Sequence, residues 1–166
     1  MKKKIEKADL NLVARKIIEG NQYVVLSTAD KKGDPWISIV AYTYDKNWNI
    51  YFVSIPSSRH CKNIKERKNI AFSIYDSHQN WGEGVGIQAE AQVEIVPIKD
   101  FLKVSRIYSI RKYPFGKITQ KIVSEFIRHA IKIKKLYKFY KIIPRDVWIN
   151  DPYSKIDNRV EVNLNS

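Results

Sequence analysis

The run Ser54-Ile55-Pro56-Ser57-Ser58-Arg59-His60-Cys61-Lys62-Asn63-Ile64 concentrates the side chains best suited to chemistry. A strand ends, Pro56 breaks it, serines stand where an N-cap belongs, and a basic helix begins at Arg59. The first backbone N–H groups of such a helix have no intrahelical partner, and its dipole presents a positive end. Arg59 and Lys62 are spaced to share one face, and Asn63 adds an amide one turn beyond Arg59. A guanidinium grips phosphate bidentately, while an ammonium supplies a point charge. Ser57, Ser58, Arg59, His60 and Lys62 therefore read as a phosphate site, with a solvated basic turn as the alternative.

Other reactive side chains form no such group. His60, His78 and His129 are too scattered for a recognisable metal motif. Cys61 neighbours His60, but adjacent residues on a helix do not face each other, which assigns the thiol to packing. No Ser-His-Asp order, P-loop or Rossmann glycine fingerprint is present. Arg128 to Lys141 is densely basic with Tyr137, Phe139 and Tyr140 interleaved. It is the best candidate for nucleic-acid contact, and a solvated helix end is the other reading.

The elements that must hold the phosphate site follow from periodicity. Leu10, Val13, Ala14, Ile17 and Ile18 repeat at helical spacing between the N-cap Asp9 and the stop Gly20-Asn21. Strands are expected at 23–28, 35–44 and 48–54, separated by the turns Asp30–Asp34 and Asp45-Lys46-Asn47. In the third, Trp48, Ile50 and Phe52 fall on one face, and Asn49, Tyr51 and Val53 on the other. After the helix at 59–67 come strands at 70–76 and 85–96, then helices over 101–108 and 118–135. Residues 137–149 are extended, with Pro144 confining them to an edge or a bulge. A last strand covers 159–164. Consecutive strands on tight turns indicate an antiparallel sheet, and six or seven of them with late helices suggest a barrel. The expected class is mainly β (α+β), a six- to seven-stranded antiparallel split barrel with peripheral helices.

That order, with Ser-Arg-His-x-x-Asn-Ile after the third strand and a following strand ending in Tyr75-Asp76, resembles the pyridoxamine 5'-phosphate oxidase-like family of FMN-binding split β-barrels. The resemblance covers roughly residues 23–96, with a looser echo at the C-terminus. It implies that Ser58, Arg59 and His60 bind the FMN phosphate. It also implies backbone contacts to the flavin ring from Ser38, Ile39 and Val40, and ribityl and phosphate contacts from Val53 and Ser54. Gly86 stands where the family often places a flavin-contacting glutamine, with Gln88 two residues on along the same face. Trp148 and Arg159 match the C-terminal flavin-side residues. Lys155 and Asp157 replace the Arg and His that handle the B6 substrate, so the resemblance implies a flavin protein that is not a working pyridoxamine 5'-phosphate oxidase. It further implies a homodimer with flavin at the subunit interface, acting on a small-molecule substrate or electron donor. A non-catalytic flavin- or haem-binding protein is the alternative, and a basic nucleic-acid-binding barrel a third.

Composition bounds these readings. The 166 residues are 44% apolar and 28% charged, ordinary globular usage that suits one domain spanning 1–166. One cysteine excludes an intramolecular disulfide and a Cys-cluster zinc site. The longest apolar run, Ile37 to Ala41, is far short of the ~20 residues of a membrane helix. Glu6 and Asp9 interrupt the N-terminal segment, which is unlike a secretory signal, and a cytoplasmic location is expected. The net charge of +13 favours anionic ligands, although its lysines are spread over the whole chain.

Overall fold

The computed structural model describes residues 9–82, 84–111, 125, 128, 137–154 and 156–166. Seven strands are present among them: β1 (Tyr23–Ala29), β2 (Pro35–Tyr44), β3 (Ile50–Ser54), β4 (Asn69–Tyr75), β5 (Gly86–Ile95), β6 (Lys138–Asn150) and β7 (Arg159–Glu161). They run in the order β3-β2-β1-β4-β5-β6-β7, all antiparallel, and β3 also pairs with β6. That last pairing closes the first six strands into a barrel and leaves β7 as an extra strand. Helices α1 (Leu10–Gly20), α2 (Arg59–Glu66) and α3 (Phe101–Ile110) sit around it. The expected class is the observed one. The helix expected over 118–135 lies, apart from Glu125 and Arg128, outside the described residues.

Strict alternation fills the barrel. Val24 and Leu26 of β1, Phe72 and Ile74 of β4, Ile87 of β5 and Ile142 and Ile149 of β6 are buried and belong to one cluster. α1 adds Ala14 and Ile18, and α2 adds Cys61 and Ile64. Side chains pointing the other way along the same strands are mostly exposed, the pattern of period two. Outside the barrel a smaller cluster of Tyr51, Val104, Tyr108 and Phe139 packs α3 against β3 and β6, with the Tyr108 hydroxyl donating to Tyr51 O at 2.7 Å. This explains why β3 is buried on both faces rather than alternating.

Pro144 falls at a bulge, as its missing N–H requires. Glu90 of β5 faces Asp146 while Ala91 faces Pro144, so Arg145 is the extra residue. The third strand differs from expectation at its start. Trp48 has φ 61 and lies in the turn, stacked on Tyr44 at 5.4 Å. Asp45 dictates this: Oδ1 accepts from the backbone N–H of Asn47 and Asn49, at 2.9 and 3.0 Å, and Oδ2 accepts from the Tyr51 hydroxyl. The last strand is also shorter than 159–164: Arg159–Glu161 form the register pairs with β6, and Val162 N adds one last bond to Val147 O at 2.8 Å.

Arg111, just past α3, ties three elements together. Its guanidinium is buried between the rings of Tyr42 and Tyr44, at 4.4 and 5.0 Å. It donates to the carbonyls of Tyr42, Ile18 and Asn21, so it satisfies the C-terminal end of α1 while clamping β2. Arg111→Met keeps most of the volume but removes the guanidinium donor to the Tyr42 and Asn21 carbonyls, while Ile18 O keeps the Tyr42 hydroxyl. The expected loss is about 3 kcal/mol, read as a lower urea midpoint with an unchanged slope.

Candidate functional site

β3 ends at Ser54, and Pro56-Ser57 turn the chain into α2. Because Ser54 and Phe52 share the inward face of β3, and Ser38 and Tyr42 that of β2, both serines look toward the barrel end that α2 covers. Cys61, Asn63 and Ile64 are the inserted side of that helix, whereas Arg59, Lys62 and Lys65 stay exposed. The Asn63 amide donates to Thr28 Oγ1 at 3.1 Å, and Thr28 in turn donates to Trp36 O at 3.2 Å. The expectation that Asn63 adds an amide beside Arg59 is therefore corrected. The amide meets the buried Thr28 hydroxyl and turns inward to do so.

His60 is the centre of the group. Its Nδ1 lies 3.1 Å from Ser38 Oγ, and its Nε2 lies 2.8 Å from Ser54 Oγ and 3.2 Å from Ser58 Oγ. The ring meets Phe52 edge-on at 6.0 Å, and Phe52 stacks on Tyr140 at 4.9 Å. Ser58 is the N-cap of α2 by position, yet its side chain makes no capping bond and turns to His60 instead. The first N–H groups of α2 are thus left for an outside acceptor. Arg59 sits over the Trp36 ring at 4.3 Å, which steadies the exposed guanidinium at the rim.

Cys61 is buried below this group, as packing required, but the expectation that it does not face its neighbour is corrected, since the His60 side chain acts on its thiol. Burial pushes its thiol up, but hydrogen bonds with His60, Ser58, Tyr140 and Ser54 outweigh it and hold the thiol below its ordinary value. The hydroxyl of Tyr140 moves the other way, raised by burial and by its bond to Cys61. Sequence reasoning missed this contact, since nothing in residue spacing relates position 140 to position 61.

The other expected site residues divide. Ser38, Ser54, Ser58 and His60 are brought together, with Arg59 at the rim, while Ser57 and Lys62 are exposed on the same turn and helix. Val40 packs at the edge of the main core, Val53 packs against the α3 cluster, and Ile39 points outward, 68% exposed. Trp148 stands in a second group. On the outer face Ile39 pairs with Val25, Val25 with Ser73, Ser73 with Gln88, Gln88 with Trp148 and Trp148 with Glu161, one row across six strands. Arg159 donates to Gln88 Oε1 at 2.7 Å and pairs with Asp157 at 3.0 Å. A Cβ at Gly86 would meet Tyr75 Cβ at 3.0 Å, so a side chain there would have to displace Tyr75 by a few tenths of an ångström. Lys155 lies outside the described residues. Among the described residues no cluster of three His, Cys, Asp or Glu could hold a metal, and no helix is long and apolar enough to cross a membrane.

A closed six-stranded antiparallel barrel with one end covered by a basic, uncapped helix start defines a split β-barrel protein. Residues 12–137 match the pyridoxamine 5'-phosphate oxidase family, and the chain belongs to it. No curated protein sequence matches. Among solved structures, the chain is similar to HutZ of Vibrio cholerae, described as a haem storage protein, at 12% identity and TM-score 0.63, covering 79% of this chain and 87% of that one. It is also similar to a haem-binding protein of Mycobacterium smegmatis, at 12% identity and TM-score 0.71, covering 95% of this chain and 60% of that one. An FAD-binding protein of Mesorhizobium loti matches at 16% identity and TM-score 0.60, covering 83% and 90%. At these identities the likeness shows the fold alone.

The seating of α2 is testable apart from any ligand. Asn63→Ala removes the donor that reaches Thr28 and leaves a small polar void at the barrel end. Stability should fall by about 2 kcal/mol in chemical denaturation, and an unchanged midpoint would contradict the anchoring role.

Proposed function

We propose that the chain binds FMN at the start of α2 and serves as a flavin-dependent oxidoreductase, a single split-barrel unit that pairs with a second copy. The observation that carries this reading is the convergence of the uncapped α2 start, Arg59 and the hydroxyls of Ser38, Ser54 and Ser58 around His60. Its chemistry fits a phosphate: N–H, O–H and guanidinium donors on a basic chain. Arg59 grips the phosphate, Ser54 and Ser58 donate to it, and the backbone of Ser38, Ile39 and Val40 lines the ring, as the family resemblance implies. Ser57, Lys62 and Val53 frame the phosphate and ribityl ends. Bound flavin supplies the hydride or electron transfer, and the protein supplies binding, orientation and electrostatics.

The second copy has a surface to meet. Ile37 and Ile39 are 63% and 68% exposed on β2, and Tyr23 and Tyr75 are exposed on the neighbouring strands. A contiguous outward apolar face of this kind is what a closing symmetric interface covers. It adjoins Gln88, Trp148 and Arg159 along the outer row, so a twofold partner offers that group to the flavin of the other copy.

Haem binding is the second reading. Two structural neighbours are described as haem proteins, and His78 Nδ1 is held 2.9 Å from Asp76 Oδ1, the carboxylate-oriented imidazole found at many metal ligands. The visible spectrum of the purified protein separates the two. Flavin bands and released FMN support the first, and a Soret band supports the second.

Arg59→Ala should weaken FMN binding about ten- to hundredfold, the worth of one charge-assisted phosphate contact. Riboflavin, which lacks the phosphate, should bind almost as before. Equal losses for both ligands, or none, would overturn the phosphate assignment. Ile39→Glu should convert the dimer to a monomer in sedimentation and reduce flavin occupancy with it. A wild-type monomer with full flavin occupancy would refute the interface.

A further inference from the structure

We infer that His60 is a positioning residue that takes up a proton as the phosphate binds, acting through the three serine hydroxyls around it rather than by contact with the phosphate. The inference rests on the phosphate reading above and specifies how that site is regulated. Both ring nitrogens are engaged, Nδ1 with Ser38 Oγ and Nε2 with Ser54 Oγ and Ser58 Oγ.

Counting protons gives the coupling. A neutral imidazole has one N–H and one bare nitrogen. If Nδ1 carries the hydrogen, Nε2 must accept from Ser54 or Ser58, and that hydroxyl proton is spent on the ring. If Nε2 carries it, the Ser38 proton is spent instead. An imidazolium donates from both nitrogens, so no serine proton is spent on the ring; Ser54 and Ser58 still share one hydrogen bond at 3.4 Å, and the remaining hydroxyl protons point at an anion. Protonation therefore frees the one hydroxyl proton the neutral ring holds, adding a phosphate donor, and places a positive charge behind the serines. By linkage, bound phosphate favours the protonated ring, so affinity falls as pH rises.

The groups around the ring allow this. α2 itself carries Arg59, Cys61 and Lys62, and Tyr140 reaches the cluster from β6 through Cys61. Lys138 is the register partner of Ser54 on β6, and β2 contributes Ser38 and the Trp36 ring beneath Arg59. A dianion arriving among these cations offsets their repulsion of a second positive charge on His60. Cys61 is the other group able to exchange a proton here, so the test must separate the two.

Calorimetric titration with FMN in buffers of different ionisation enthalpy, from pH 7 to 8.5, measures protons taken up per flavin bound. The phosphate ester is already mostly dianionic there, its second ionisation lying near pH ~6. Wild type should take up a fraction of a proton, and its affinity should fall several-fold per pH unit, the limit for one linked proton being about tenfold. Riboflavin should show no uptake. His60→Gln keeps a neutral donor and acceptor but cannot titrate, so it should bind FMN with flat affinity and no uptake. Cys61→Ser should keep the wild-type uptake. Binding without uptake in wild type, or equal uptake in His60→Gln, overturns the inference while leaving the phosphate site standing. Failure of wild type to bind FMN at any pH overturns both.

Discussion

The Asn63 amide inside the barrel mouth, bonded to Thr28, is the constraint on which the site depends. It fixes the roll of α2 about its own axis. With Asn63, Cys61 and Ile64 turned inward, Arg59 and Lys62 must face out, and His60 must lie between the ends of β2 and β3. A rotation of one residue, about 100° on a helix, would bury a lysine and carry the imidazole away from the serines. The barrel thus supplies more than a platform. Its closure by β3 and β6 puts Phe52 and Tyr140 in stacked contact, and that pair is the floor on which His60 rests.

A polar cluster at the end of an apolar barrel is costly unless its members satisfy one another. Here the serines and the imidazole do so. The arrangement leaves the helix N–H groups as the unsatisfied donors at the surface, where an anion or water reaches them. Structural satisfaction and ligand readiness are divided between side chains and backbone.

Much of this was legible in the sequence because it is local. The alternation in 23–28 and 70–76, the Asp-initiated turns and the Pro56-Ser57-Ser58 break each encode one element within a few residues, and the N-cap Asp9 accepts from Asn11 N as its position required. The presence of serine, arginine and histidine at the start of α2 was legible for the same reason. What was not legible is long-range or rotational. Spacing alone puts Asn63 near Arg59, and only a buried partner at Thr28 reveals that it turns inward. Trp48 looks like strand because it alternates with Ile50 and Phe52, yet Asp45 gathers the turn N–H groups and forces it into the left-handed region. Tyr140 and Arg111 find their partners across the fold, from positions no periodicity connects.

β6 holds a place no other strand has. Its first residues bond to β3, its middle to β5 and its last to β7, so one segment of chain completes the barrel and also carries the added strand. Ile50 must wait for Ile142, and Ile87 for Ile149. During synthesis the preceding strands therefore leave the ribosome as an open sheet with two unsatisfied edges, one on β3 and one on β5, both apolar on the inner side. Pairing at such sequence separation is slow to nucleate because loop closure precedes its reward. The chain's vulnerable interval is thus the time between emergence of β5 and emergence of β6. Any factor that shields a sheet edge during that interval, a chaperone or an early partner subunit, acts on the yield of folded protein rather than on its final stability.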